Sequence, residues 1–359
     1  MHPAHAIAAV THADPFPYYR ALRSERPFFF DGALGLWVAT SHAVVAQALA
    51  HPGLRVRPPA ELVPKPLLGT AVGEVFAQLV RMTDGAFHAA HKPVMEKAAR
   101  RWTLRDVAEA SREAARELRP RHGANGFLAA LPVQAMARLV GVQADSLELT
   151  CEQVAQFVRG IAPGATPQDI ELADAAARAL MAQGASLGLD PVAAANRIAF
   201  MQQSLDATWA LMAHTVLALD GDAELAAAAD ASPDAMRRFV AEVERHAAPT
   251  QNTRRFAEQA IELAGHRVAQ GQGILVVLAS ANRDEALNPD PDRFDPARAQ
   301  PRSMGFGSGP HGCPGAAIAI EIAASAIRFL RETDRFNKYF GQPQGFRPLG
   351  NIRCPLFAH

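Results

Sequence analysis

Apolar residues recur every three to four positions over residues 15–25, 85–101, 104–118, 194–219, 232–246 and 315–331, and this spacing predicts a helix in each stretch. Ala-rich helical segments fill most of the interval from 119 to 187, with breaks placed near Gly123, Gly164 and Gly184. Aromatic and β-branched residues dominate 26–40 around Asp31-Gly32, which predicts a hairpin. Residues 249–277 read as short strands turning at Gly265 and Gly271, and the apolar run 273–281 reads as a buried strand. Proline density over 52–68 and 289–301 predicts irregular chain. The helix over 194–219 is apolar on most sides, as expected of an element crossing the centre of a large domain. No repeat or low-complexity linker divides the sequence, so one domain over 1–359 is expected, mainly α with a minor β portion.

Composition strengthens the helical reading, because 49% of residues are apolar and alanine is abundant. Thirty-six basic residues balance 36 acidic ones, so no global field draws the chain to nucleic acid or an anionic membrane. Cys151, Cys313 and Cys354 are far apart and form no disulfide or zinc pattern, which fits a reducing compartment. No secretory signal is recognised, and the longest apolar runs are short or carry Asp206 and His214. The expectation is a cytoplasmic protein without a membrane span.

The segment FGSGPHGCPG changes the picture from composition to chemistry. Glycines 305, 307, 309, 312 and 315 surround Cys313, letting the backbone lie close to a flat cofactor with amides free to point at sulfur. A helix beginning near Gly315 adds its positive end, and a metal would favour the thiolate further. A free cysteine is ordinarily a small buried hydrophobe, so the neighbours carry this reading.

The segment resembles the ligand loop of the cytochrome P450 haem-thiolate enzymes in their soluble bacterial form. Phe306, Gly309, His311, Cys313 and Gly315 stand at every fixed position of that signature. ADPFPYYRALRSERPFFFDGALGLWVAT is similar to the family's opening helix and first sheet. Glu242-Val243-Glu244-Arg245 is similar to its Glu-x-x-Arg, and PDRFDPAR to its meander. The resemblance implies the P450 fold, with haem b between a long central helix and the cysteine loop and Cys313 as the axial thiolate. It implies a buried ion-pair triad of Glu242, Arg245 and Arg293. It also implies cofactor contacts from His88, Lys92, Arg255, His311, Phe306, Gly307 and Gly315, where Lys92 replaces the usual arginine and keeps the charge without the fork.

On the central helix the sequence FMQQSLDATW departs from the family's small-small-x-acid-threonine pattern. With Asp206 placed on the acid, Gln203 and Ser204 replace the small residues and Ala207 replaces the threonine; a shifted register uses Thr208 instead. Asp206, Gln203, Ser204 and Thr208 are therefore the candidate catalytic residues, with Asp206 serving proton delivery and Gln203 shaping the distal pocket.

Gln251, Asn252 and Thr253 are expected to face that pocket. A short stretch between the His88 helix and the central helix implies a reduced lid. Ile320 departs from a basic residue often used on the electron-donor face, leaving Lys97, Arg100 and Arg101 as the candidate patch for a ferredoxin-type donor. The resemblance implies an oxidoreductase, a monooxygenase of a small or medium secondary-metabolite substrate, polar or carrier-tethered. Two alternatives stay open: peroxide-driven or oxygen-independent haem-thiolate chemistry, and a haem-binding or docking protein without catalysis.

Overall fold

The computed structural model describes residues 2–332 and 336–358. Helix α1 (Phe16–Glu25) leads into strands β1 (Phe28–Asp31) and β2 (Leu36–Ala39), the expected hairpin about Asp31-Gly32. Helix α2 (His42–Ala50), strand β3 (Leu54–Arg55) and helix α3 (Ala71–Ala77) precede the main helical body. That body contains α4 (Gly85–Arg100), α5 (Leu104–Leu118), α6 (Ala124–Leu139), α7 (Leu147–Gly160), α8 (Pro167–Ser186) and α9 (Pro191–Gly221). Helices α10 (Ala223–Asp230) and α11 (Pro233–Ala247) follow, then strands β4 (Thr253–Ala257), β5 (Ile261–Leu263), β6 (His266–Val268) and β7 (Gly273–Val276). Helix α12 (Leu278–Asn282), the cysteine loop, α13 (Ala316–Arg331), α14 (Phe336–Tyr339) and the hairpin β8 (Pro343–Phe346)–β9 (Pro355–Phe357) complete the chain.

Local chemistry explains where the helices begin. Thr103 and Thr166 each accept from the amide of Asp106 or Asp169, whose carboxylates reach back, forming capping boxes on α5 and α8. Asp190 and Ser232 cap α9 and α11 through the amides of Ala193 and Ala235, with proline at the first helical position. The break expected near Gly184 falls just after it, where α8 ends at Ser186, but Gly184 itself is not the breaker. It lies inside α8, where an added Cβ would stand 2.6 Å from the Ala194 Cβ, so its role is to let α8 approach α9. The apolar run after Gly273 also divides, being strand only to Val276 and then helical.

The strand order is β1-β2-β7-β4-β3, with β2 and β7 parallel and the other pairs antiparallel. One apolar core surrounds α9 and joins it to α6, α8, α11 and α13, while a second lies between the sheet and α2. Residues Gly309–Arg331 are long and apolar enough to cross a membrane, contrary to the expectation from the apolar runs. Half of that stretch is buried inside the protein, which accounts for its hydropathy. The result for the site is a cleft with α9 on one side and the cysteine loop, seated on α11, on the other.

Candidate haem-thiolate site

The cysteine loop is held by its own backbone. Gly307 and Gly309 take φ values of +70° and +66°, a region costly for other residues, and the Cys313 N–H donates to the Phe306 carbonyl at 2.9 Å. The Gly315 amide points at the Cys313 sulfur. A Cβ on Gly305 would stand 1.9 Å from Glu244 Oε1, so the loop lies directly against the Glu244 carboxyl of α11. Burial pushes the Cys313 thiol up, opposed by the Gly315 amide and by Lys92. Cys313 is nonetheless exposed, because it opens onto the cleft. Cys151 and Cys354 are also free, and burial pushes both thiols up to about 12.

Behind the loop, Arg245 and Glu242 form a bidentate pair at 2.7 and 2.8 Å, both essentially sealed from solvent. Arg293 does not complete it. Its guanidinium is exposed and faces Asp295 at 3.7 Å, and only its carbonyl reaches Arg245. Arg298 supplies the second cation, 3.7 Å from Glu242, because the irregular segment turns back through hydrogen bonds from Arg298 to the carbonyls of Pro289, Asp290 and Arg293.

Above Cys313 lies a cleft with about 570 Å³ of empty space, part of it open to solvent. One wall is α9, which presents Asn196, Ala199, Phe200 and Gln203, a single stripe at helical spacing. His88 and Lys92 of α4 lie one turn apart on another side, and His311, Val80 and Arg81 close the rim. His88 and His311 stack with centroids 4.2 Å apart, His311 Nε2 bonds Asp84 at 3.0 Å, and Lys92 donates to the Gly312 carbonyl.

The electrostatics are one-sided. Among the described residues, the lining carries Arg81, Lys92 and two imidazoles and no carboxylate. Burial lowers His88, with the charges of His311 and Lys92 adding to it, and burial lowers Lys92. Burial also lowers Arg255, which stands within electrostatic reach of Asp84 but outside the lining, its guanidinium donating to the Arg254 carbonyl. Asp84 is pushed up by burial, yet the His311 hydrogen bond and the Val56 amide outweigh this and lower it. Three enclosed nitrogens, Arg81 Nε, His88 Nε2 and His311 Nδ1, have no hydrogen-bond partner among the described residues. The two imidazole nitrogens, with Lys92 beside them and a thiol below, fit a flat cofactor with anionic side arms, so His88, His311 and Lys92 suit haem and its propionates.

Of the residues expected to contact the cofactor, Cys313, His88, Lys92 and His311 meet at the cleft, while Phe306, Gly307 and Gly315 shape the loop. On α9 only Gln203 of the four candidate catalytic residues lines the cleft, its amide donating to the Ala199 carbonyl at 3.1 Å. Asp206 is turned aside into an ion pair with Arg347, whose guanidinium lies 4.4 Å over Trp209. Ser204 bonds the Met201 carbonyl and Thr208 is buried, both outside the cleft lining. Their position follows from the helix: at ~100° per residue, Ala207 continues the Asn196–Gln203 stripe, whereas Asp206 and Ser204 flank it and Thr208 faces away.

Gln251 and Asn252 do not face the pocket. Gln251 accepts from Tyr19 and donates to Ala248, and Asn252 donates to Gly350, all in the interior. Conversely, Arg81 and Asn196 belong to the cleft although neither stands in a local motif that would single it out in the sequence.

A family model described as cytochrome P450 matches residues 234–332, which span α11, the small strands, the cysteine loop and α13. The linalool 8-monooxygenase of Pseudomonas putida is 35% identical over 108 residues, 30% of this chain and 27% of that protein. The 6-deoxyerythronolide B hydroxylase of Saccharopolyspora erythraea is 38% identical over 98 residues, 27% of this chain and 24% of that one. The matched stretches thus cover about a quarter of those relatives. Solved structures extend the likeness in fold. P450BioI in complex with a hexadec-9Z-enoic acid-ligated acyl carrier protein has a TM-score of 0.79 at 22% identity, covering 95% of this chain and 96% of its own. RauA complexed with a biosynthetic intermediate of aurachin RE has a TM-score of 0.79 at 21% identity, covering 96% and 95%.

Proposed function

Taking the chain as a cytochrome P450, in sequence over residues 234–332 and in fold over nearly its whole length, we propose that it is a haem-thiolate oxidoreductase with Cys313 as the axial ligand. The observation that carries this is the cleft itself, where Cys313 opens beneath Lys92 and two imidazoles that each keep one nitrogen without a hydrogen-bond partner among the described residues. Haem, when bound, supplies one- and two-electron iron chemistry at a carbon of a bound organic molecule. His88, Lys92 and His311 would hold its propionates from the lining, Arg255 would add its charge from outside it, and the Gly315 amide would stabilise the thiolate.

The similar proteins, a linalool monooxygenase and a 6-deoxyerythronolide B hydroxylase among them, support monooxygenation of a secondary-metabolite substrate. A soluble, cytoplasmic enzyme served by a ferredoxin-type donor is part of this proposal. Carrier-tethered substrate accords with the ligated acyl carrier protein bound to P450BioI.

A specific observation favours a second reading, peroxide-driven or oxygen-independent chemistry. Proton delivery in the cleft needs an acid or hydroxyl there, and α9 offers neither, since Asp206 is paired with Arg347 and the stripe ends in Gln203 and Ala207. Gln203 can orient a polar substrate group or hold water by hydrogen bonding, but its amide does not titrate.

The deciding experiment is the absorption spectrum of the ferrous carbon monoxide complex, in which thiolate ligation gives a strongly red-shifted band. Wild type should show the band and Cys313→Ser should lose it. Protein that purifies without haem, or a band that survives the substitution, would sink the assignment. Turnover with ferredoxin and oxygen against turnover with peroxide then separates the two readings.

A further inference from the structure

Arg81 is a cation that the haem-thiolate reading does not use. It lies in the short turn Val80–Met82, just before α4, and it lines the cleft with Cys313 and Gln203. The turn is fixed by Asn196 of α9, itself buried. Asn196 Oδ1 accepts from the Val80 amide at 3.0 Å, and its Nδ2 donates to the Gln78 carbonyl at 2.9 Å. These bonds clamp the turn to the helix that walls the cleft, so Arg81 is positioned there by the interior of the protein and not by chance packing of a surface loop.

The group is poorly satisfied where it stands. Its Nε is enclosed and has no hydrogen-bond partner among the described residues. Burial, with the nearby charge of Arg57 adding to it, lowers its pKa to about 10, so it is still protonated at neutral pH and repelled by its neighbour. No carboxylate of the described residues lines the cleft to offset it.

Counting charges leaves Arg81 without a counterion even with haem in place. Ferric iron, the porphyrin dianion and one thiolate sum to zero. Two propionates would add two negative charges, set against Lys92 in the lining and Arg255 outside it, while His311 is already paired with Asp84. One part-buried guanidinium remains, in a lining it shares with the apolar Val80, Ala199, Phe200 and Met95. A charge without a counterion away from open water is costly, and a carboxylate that neutralises it binds with a fork-shaped pair of charge-assisted hydrogen bonds.

We propose that Arg81 is a specificity determinant of this cleft, anchoring the carboxylate of an organic-acid substrate whose apolar body lies along Ala199 and Phe200. This rests on the haem-thiolate reading for the reaction, but not for the binding itself. The probes are decanoate, methyl decanoate and 1-decanol, titrated calorimetrically into the purified protein at neutral pH, with haem content and the rate of haem transfer to an acceptor apoprotein measured on the same samples.

Wild type should bind decanoate and discriminate against the ester and the alcohol. Arg81→Gln should weaken decanoate roughly ten- to a hundredfold while leaving the neutral probes and haem retention unchanged, and Arg81→Lys should retain part of the preference. Equal affinity for acid and ester in wild type would overturn the proposal. Faster haem loss in Arg81→Gln without a selective loss of decanoate would overturn it too, assigning Arg81 to a propionate. If the wild-type protein carries no haem, the thiolate reading fails on that measurement alone, and the acid-to-ester comparison still decides the role of Arg81.

Discussion

Arg293 and Arg298 sit on the same irregular segment, and the distances separate their roles. Arg298 approaches Glu242 at 3.7 Å while donating to three carbonyls, whereas the Arg293 side chain is 70% exposed and only its carbonyl is engaged with Arg245. Arg298→Ala removes a cation from a buried carboxylate and leaves carbonyls unpaired, which should cost ~1–3 kcal/mol. Arg293→Ala should fall within about 0.5 kcal/mol of wild type. Chemical denaturation of both variants is the check, and an equal loss in the two would refute the assignment. The same contrast shows why residue roles on this segment are only partly legible in the sequence. The motif places an arginine near Glu242, but which one arrives depends on how a non-periodic chain folds back, and no local propensity encodes that.

At the scale of elements, helix existence and phase are legible because apolar spacing and caps are local properties. Residues 104–118 are helical as expected, and Ser232 and Asp190 start α11 and α9. Two departures share one cause. Gly184 stands two residues before the break that the sequence places near it but serves as a packing residue, and the run 273–281 reads as one strand but bends into α12 at Leu278. In both, a tertiary neighbour decides the outcome, and the parallel β2–β7 pairing that anchors the run is equally non-local. Gly184→Ala isolates this effect. Helix propensity alone favours alanine by about 1 kcal/mol, but the new Cβ meets the Ala194 Cβ at 2.6 Å and its Cα at 3.2 Å, parts of a helix that cannot turn away. Overpacking should win, with a net loss of ~1–2 kcal/mol and an unchanged denaturant slope. A variant as stable as wild type, or more so, would show that α8 and α9 can separate freely.

For the whole molecule, the two sides of the cleft differ in how they are built. The cysteine side is contiguous in sequence, and the family match over residues 234–332 falls on it. The opposite side draws on Arg81, His88 and α9, brought together by Asn196 and outside that match. The large apolar core around α6, α9 and α13 does not depend on the cleft for its contacts, since Phe127, Leu131, Ile198 and Ile327 are fully buried among other side chains. The turn at Val80–Met82, the start of α4 and the loop to Gly315 carry the unpartnered nitrogens that line the cleft. A cofactor binding there should stabilise those segments by mass action and leave the core nearly unchanged. Stripping haem from the purified protein should therefore raise amide hydrogen exchange over residues 78–92 and 304–315, with α6 and α13 remaining protected. Exchange measured by mass spectrometry on loaded and stripped protein checks this. A loss of protection spread evenly through α6, α9 and α13 would mean that the cofactor holds up the core itself, and the division between a self-sufficient helical body and a cofactor-ordered rim would be wrong.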